Sequence, residues 1–104
     1  MEEISVNASA VPWEAVAEMS GMKRKVLRSG PGGKPVIALL KLEAGFEMEA
    51  HTHDRAESHD VLEGMYESHG HEYPRGSYRL IGRHTSHGPF SSRSGAVILV
   101  MWEA

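Results

Sequence analysis

Residues 45–64 read GFEMEAHTHDRAESHDVLEG, and their histidines and glutamate lie at short, regular intervals. His51 and His53 are separated by one residue, so an extended strand would project both imidazoles from the same face. Glu57 follows four positions later, where a turn of the chain can bring a carboxylate back towards the same point. The pattern therefore indicates two imidazoles and one carboxylate that converge.

A further imidazole lies well along the chain, at His87. It stands thirty residues beyond Glu57, and a neighbouring strand of a closed sheet could deliver it opposite the first three side chains. Nitrogen and oxygen donors of this kind suit iron, zinc, nickel, cobalt or manganese, and the softness of the donor atoms does not distinguish among these metals. A His-x-His pair alone also occurs in surface loops, so the metal interpretation depends on all four side chains.

The composition excludes several classes of partner and site. Eleven basic and fourteen acidic residues give a net charge of −3, which provides no broad cationic field for nucleic acid or an anionic membrane. Cysteine is absent, so any metal must be held by nitrogen and oxygen. All seven histidines lie between His51 and His87, which makes the middle of the chain a cluster of pH-sensitive nitrogens.

Length and hydropathy predict one domain without a membrane segment. The longest apolar runs, 36–40 and 96–102, are far shorter than the roughly 20 residues that cross a bilayer. The first residues are acidic and do not resemble a secretory signal, so the cytoplasm is the expected location. Residues 1–104 are expected to form a single domain in which 1–21 are a leading arm, with a short helical turn over 12–21.

Short apolar pieces separated by glycine, proline and serine predict an all-β fold. Residues 29–33 read SGPGG and require a turn, and the stretch 36–42 that follows is apolar and of strand length. Beyond it, no segment holds a 3.6-residue apolar period long enough for a sizeable helix. Such a series of short strands favours a sandwich or barrel. The further strand-like pieces are 46–53, 57–67, 77–81 and 96–103.

The first histidine group resembles the first sequence motif of the cupin superfamily. That motif consists of a glycine, a His-x-His pair, a glutamate and a second glycine at set intervals. In this chain the positions are Gly45, His51, His53, Glu57 and Gly64, separated by five, one, three and six residues. Residue types and spacing agree at every defining position.

The second cupin motif is present with substitutions. Gly76 and His87 stand at its glycine and histidine positions. The substituted positions are Gly82 for proline, His84 for glycine and Ser91 for the frequent asparagine. By resemblance, the implied metal ligands are His51, His53, Glu57 and His87, and His84 is left open as a substitute ligand.

Further segments resemble small single-domain cupins of the RmlC-like superfamily, related to the C-terminal domain of the ChrR anti-sigma factor and to acetylacetone-cleaving dioxygenases. These segments are VPWE at 11–14, residues 21–27, VLEG at 61–64 and YPRGSY at 73–78. The resemblance implies a jelly-roll β-barrel with one divalent transition metal near its centre. It also implies a homodimer, for which unpaired backbone groups on edge strands give a physical motive.

The function implied by this resemblance is a metal-dependent dioxygenase acting on a small dicarbonyl or enol-forming compound. Fe(II) is the expected metal, with zinc, nickel, manganese or cobalt as alternatives. Glu57 and His59 are the expected catalytic residues, since strand alternation places His59 on the same face as Glu57. A packed core histidine is the other interpretation of His59.

Two other functions stay open. The first is a non-catalytic sensor or regulatory domain that binds zinc and a small ligand, and the second is a non-redox metal-dependent isomerase. In each case the partner is a small molecule. The remaining polar and aromatic side chains have simpler interpretations. His69 and His71 are expected in a solvated turn, and Trp13 and Trp102 at the barrel ends or a subunit contact. Arg79, Arg83 and Arg93 could recognise a carboxylate or diketone-like substrate, although solvated charges are the commoner role of exposed arginines.

Overall fold

The computed structural model describes residues 3–103, and these form an all-β architecture without an α-helix. Two single-turn 3-10 helices lie at Ala8–Ala10 and Pro31–Gly33. Within the described residues, no helix is long and apolar enough to pass through a membrane. The strands are β1 (Glu14–Ala15), β2 (Met22–Ser29), β3 (Pro35–Leu42), β4 (Phe46–Met48), β5 (Glu57–Ser68), β6 (His71–Pro74), β7 (Tyr78–Ile81), β8 (Phe90–Ser92) and β9 (Ala96–Trp102).

The strands form one curled antiparallel sheet in the order β1-β2-β3-β9-β5-β8-β4. The long strand β5 holds the two parts of the sheet together. Its first part pairs with β7 and β9, and its last part pairs with β6 and β8. Because both parts share β5, the sheet bends around an interior, in agreement with the barrel that the sequence predicts.

A β-bulge in β5 changes which side chains face that interior. The pairing with β9 slips by one residue between Val61 and Glu63, so Leu62 is the extra residue of the bulge. Since side chains alternate along a strand, one extra residue exchanges the two faces. The buried residues of β5 are Glu57, Ser58, His59 and Val61 before the bulge and Tyr66 and Ser68 after it.

The hydrophobic core lies between the curled halves of the sheet. Aromatic side chains of β4, β5 and β8 pack there against aliphatic side chains of β3 and β9. Burial of such side chains supplies most of the favourable free energy of folding. The core residues are Leu42, Phe46, Val61, Tyr66, Phe90, Ala96, Ile98 and Val100.

The leading residues do not form the helical turn predicted over 12–21. The chain instead forms β1, in which Glu14 lies opposite Arg24 of β2. The prediction was wrong because residues 14–15 pair with β2, and Val16 and Met19 line a cavity from the irregular segment between β1 and β2. Pairing with β2 satisfies the backbone of β1 without a helix.

Candidate metal centre

Backbone pairing brings the two histidine groups side by side. The backbone N–H of His51 donates to the carbonyl of His87, and that of His87 donates to the carbonyl of His51, both at 2.9 Å. The backbone N–H of His84 also donates to the carbonyl of His53 at 2.8 Å. These three hydrogen bonds hold two segments together that are far apart in sequence.

Three imidazoles face one point at this junction. One ring nitrogen from each of His51, His53 and His87 lies within 4.8 Å of the other two. His87 is 2% exposed, and neither of its ring nitrogens has a hydrogen-bond partner among residues 3–103. A buried polar atom without a partner is uncommon in a folded protein. The three nitrogens therefore fit one divalent transition metal, whose imidazole ligands lie about 2 Å from the ion.

Glu57 stands beside the three imidazoles. Its Oε1 lies 3.4 Å from Nδ1 of His87, and its Oε2 lies 4.0 Å from Nε2 of His53. His59 Nε2 donates to Oε1 at 3.1 Å, and Trp102 Nε1 donates to Oε2 at 2.6 Å. These two hydrogen bonds fix the orientation of the carboxylate. The role of Glu57 as a metal ligand stays a prediction.

A chain of hydrogen bonds continues from Glu57 through the barrel. When neutral His59 donates from Nε2 to Glu57, its Nδ1 must accept, and the Tyr66 hydroxyl donates to it at 2.8 Å. Arg79 Nη1 in turn donates to the Tyr66 oxygen at 3.5 Å. The Arg79 guanidinium also lies over the ring of Tyr73, 4.4 Å from its centre. Each member of this chain therefore helps to fix the position of the next.

Burial and neighbouring polar groups together set the protonation states of the site. It lowers the pKa of His87 to about 4, although the charge of Glu57 acts in the opposite direction. Burial alone would raise the pKa of Glu57, but the hydrogen bond from His59 and the neighbouring imidazoles outweigh it and lower that pKa. Burial raises the pKa of Tyr66. Near pH 7 the site therefore holds a neutral His87, an ionised Glu57 and a protonated Tyr66.

His51, His53 and His59 line an apolar cavity of about 210 Å³ inside the barrel. Val16 and Met19, which precede β2, also line it. A cavity of this size and polarity suits a small organic molecule. Its aliphatic and aromatic walls include Leu40, Leu42, Phe46, Phe90, Ile98 and Val100.

The side chains of His69, His71 and His84 are not part of the three-nitrogen group. His84 is exposed and has a positive φ of 59°, and its side chain is not part of the group. His69 and His71 are exposed, as the sequence predicts. The turn is shorter than expected, because His71 already begins β6.

The sequence did not predict that Tyr66, Trp102 and Arg79 belong to the hydrogen-bond network around Glu57. Tyr66 was not singled out, Trp102 was expected at a barrel end or a subunit contact, and Arg79 was expected as a solvated charge or a substrate-recognising group. Tyr66 is fully buried, and Arg79 is half-buried against it. Gly64 was the available sequence signal for the inward orientation of Tyr66, since a glycine within a strand often marks a bulge that exchanges the two faces of that strand.

Comparison with known families agrees with this geometry. The sequence profile of the ChrR cupin-like domain family matches residues 1–104. The chain belongs to this family. A search of curated protein sequences finds no significant match for this cupin.

Solved structures share the fold of this cupin at low sequence identity. The polyketide cyclase RemF from Streptomyces resistomycificus has 19% identity and a TM-score of 0.80, over 98% of this chain and 79% of that one. A candidate acetylacetone dioxygenase from Methylibium petroleiphilum PM1 has 16% identity and a TM-score of 0.85, over 98% and 77%. These likenesses confirm the all-β, jelly-roll cupin barrel.

A third structure is the complex of Rhodobacter sphaeroides SigE with the anti-sigma factor ChrR. The identity is 20% and the TM-score 0.74, over 93% of this cupin. The match covers 52% of that chain. This cupin therefore spans about half the length of the matched chain in that complex.

The lowered pKa of His87 predicts that the metal-free cupin loses stability in acid. The unfolded chain takes up this proton near pH 6.5, whereas the folded protein takes it up near about 4. Between these values the unfolded state binds more protons, so the free energy of unfolding falls as the pH is lowered and this contribution levels off below about 4. The expected loss from this group is roughly 3 kcal/mol.

Urea denaturation of the chelator-treated cupin at several pH values measures this loss. His87→Gln is the matched control, because it has no ring to titrate and its stability should depend less on pH. A wild-type free energy of unfolding that stays constant from about pH 7 to about pH 4 would contradict the assignment.

Proposed function

We propose that this cupin holds one divalent transition metal on His51, His53 and His87 and acts on a small oxygen-donor substrate in the adjoining cavity. The observation that carries the proposal is the buried ring of His87, whose nitrogens lack hydrogen-bond partners within residues 3–103 and face two further imidazoles. The apolar cavity borders two of these imidazoles, His51 and His53, so a substrate there would lie beside the metal and contact mainly apolar side chains.

Glu57 is proposed to complete the ligand set through Oε1, which lies beside His87 Nδ1. Trp102 and His59 then act as positioning residues, because their N–H groups hold the carboxylate oxygens in place. His59 also connects Glu57 Oε1 to the Tyr66 hydroxyl. This connection gives a proton a path between the two oxygens through the imidazole ring.

The proposed reaction is the oxidative cleavage of a small dicarbonyl or enol-forming compound. A bound Fe(II) ion would supply Lewis acidity towards the substrate oxygens and the redox chemistry of O₂. The cupin itself contributes the fixed imidazoles, the oriented carboxylate and a wall that excludes competing water. The shared fold with the candidate acetylacetone dioxygenase supports this substrate class.

The test is oxygen uptake with a β-diketone. Protein reconstituted with Fe(II) is expected to consume O₂ when acetylacetone is added, and protein reconstituted with Zn(II) is expected not to. His53→Ala should abolish the uptake, whereas His84→Ala removes an exposed imidazole outside the group and should preserve it. An iron-loaded cupin that consumes no O₂ with this diketone or with a small β-keto acid would contradict the dioxygenase proposal.

A regulatory function is the second candidate. It is favoured by membership of the ChrR cupin-like family and by the likeness to the SigE–ChrR complex. Tightly bound zinc without turnover would support such a sensor. Conversion of the diketone to an isomer without O₂ consumption would support the isomerase.

We also propose a homodimer formed through the outer face of the sheet. Leu80 and Met101 lie on either side of Ser58 in neighbouring strands, and they are 61% and 38% exposed. Tyr78, in the next row, is also exposed. Pairing of two such faces would remove this apolar surface from water. Light scattering that returns the monomer mass of 11.4 kDa would contradict the dimer.

A further inference from the structure

One arginine lies within the lining of the metal cavity. Arg24 belongs to β2, where side chains alternate, and it shares an inward face with Met22, which also lines the cavity. Lys23, between them, is exposed on the other face. Among the described residues, Arg24 is the only lysine or arginine that lines this cavity.

The guanidinium of Arg24 is incompletely paired. Its Nε is buried and has no hydrogen-bond partner within residues 3–103. The carboxylate that faces it belongs to Glu14, whose Oε1 lies 3.6 Å from Nε, beyond hydrogen-bond distance. The side chains of Arg24 and Glu14 are 39% and 59% exposed, so the guanidinium lies where the cavity meets solvent. A buried N–H group of a charged side chain has a free-energy cost unless a partner compensates it, and Arg24 Nε has none within residues 3–103. Packing on this face does not itself require a cation, since the apolar side chain of Met22 lines the same cavity.

We propose that Arg24 binds a carboxylate group of the substrate. The substrate class is then a small oxo or enol-forming carboxylate, with its other oxygens at the metal-binding histidines. This inference rests on the proposed function, because it places both groups of one ligand in one cavity. A guanidinium matches a carboxylate with two parallel hydrogen bonds, which a lysine cannot provide.

The cavity volume limits the size of this substrate. The volume is about 210 Å³, below the roughly 300–1,000 Å³ of pockets that take drug-sized ligands. The apolar walls favour a short hydrocarbon body between the polar groups. A compact molecule such as acetoacetate, which has one keto group and one carboxylate, satisfies these requirements.

The test compares two ligands that differ in charge. Acetoacetate carries a carboxylate where acetylacetone carries a second acetyl group, and calorimetric titration of the zinc-loaded cupin measures the affinity of each. Arg24→Gln should weaken acetoacetate binding about 10- to 100-fold, the usual effect of a hydrogen bond to a charged group. It should change acetylacetone binding by less than about twofold, since no carboxylate is lost.

Two matched variants separate this role from simpler effects. Lys23→Gln removes one positive charge from the outward face of the same strand, and Glu14→Gln removes the carboxylate that faces Arg24. Both should retain acetoacetate affinity. A loss in Glu14→Gln as large as that in Arg24→Gln would overturn the proposal, and so would an equal loss for both ligands in Arg24→Gln.

A folding defect is tested separately. Arg24→Met removes the incompletely paired cation and should keep or raise the melting temperature while losing the preference for acetoacetate. If the cupin holds no metal, the proposed function fails, and Arg24 is then tested by thermal shift of the metal-free protein with propionate. Stabilisation by propionate that Arg24→Gln abolishes would uphold the carboxylate site, and no stabilisation would overturn it.

Discussion

Replacement of His51 with alanine is expected to remove most of the bound metal and to lower the melting temperature of the metal-loaded protein. The ring centre of His51 lies 4.5 Å from that of His53 and 4.3 Å from that of His87, so its loss leaves only two of the three imidazole donors. An ion that binds only the folded state adds its binding free energy to stability. This amounts to about 2.7 kcal/mol at an ion concentration 100 times the dissociation constant.

Elemental analysis and thermal unfolding with and without a chelator measure this effect. The chelator should lower the melting temperature of the wild type and leave that of His51→Ala nearly unchanged. His84→Ala is the matched control, because it removes an exposed imidazole and should retain both metal and the response to chelator. Wild-type metal content in His51→Ala would show that the ion binds elsewhere.

Gly64→Ala is expected to destabilise the protein by about 3 kcal/mol or more. Gly64 has a positive φ of 70°, a conformation that costs a residue with a Cβ roughly 1–2 kcal/mol. A Cβ at this position would also clash with the carbonyl oxygen of Gly95 and stand 2.9 Å from Cα of Ala96. Both belong to the backbone that pairs with β5, so it cannot move away without loss of that pairing.

Urea denaturation of Gly64→Ala and Gly70→Ala separates the two causes. Gly70 has a similar φ of 76°, but a Cβ there would meet nothing within 4 Å. Gly70→Ala should therefore cost only the conformational part, about 1–2 kcal/mol. Equal losses in the two variants would show that the close approach to β9 is unimportant.

The expected strands agree best with the structure where an apolar run is clearly bounded by glycine, proline or serine. The pieces 57–67, 77–81 and 96–103 correspond to β5, β7 and β9 within one residue at each end. The piece 46–53 is shorter than expected. Its strand ends at Met48, and His51 then makes an isolated bridge to His87. Local pattern cannot distinguish a continuous strand from a strand followed by a bridge, since the partner is distant in sequence.

The amino-acid sequence by itself determined the donor chemistry of the candidate site. Without cysteine, and with His51, His53, Glu57 and His87 at cupin spacing, only nitrogen and oxygen ligands were available. The tertiary structure decided what surrounds them. The bulge at Leu62 turns later side chains of β5 inward, and the pairing of β2 with β3 brings Arg24 into the cavity wall. These placements depend on contacts between distant strands, which a local sequence period does not encode.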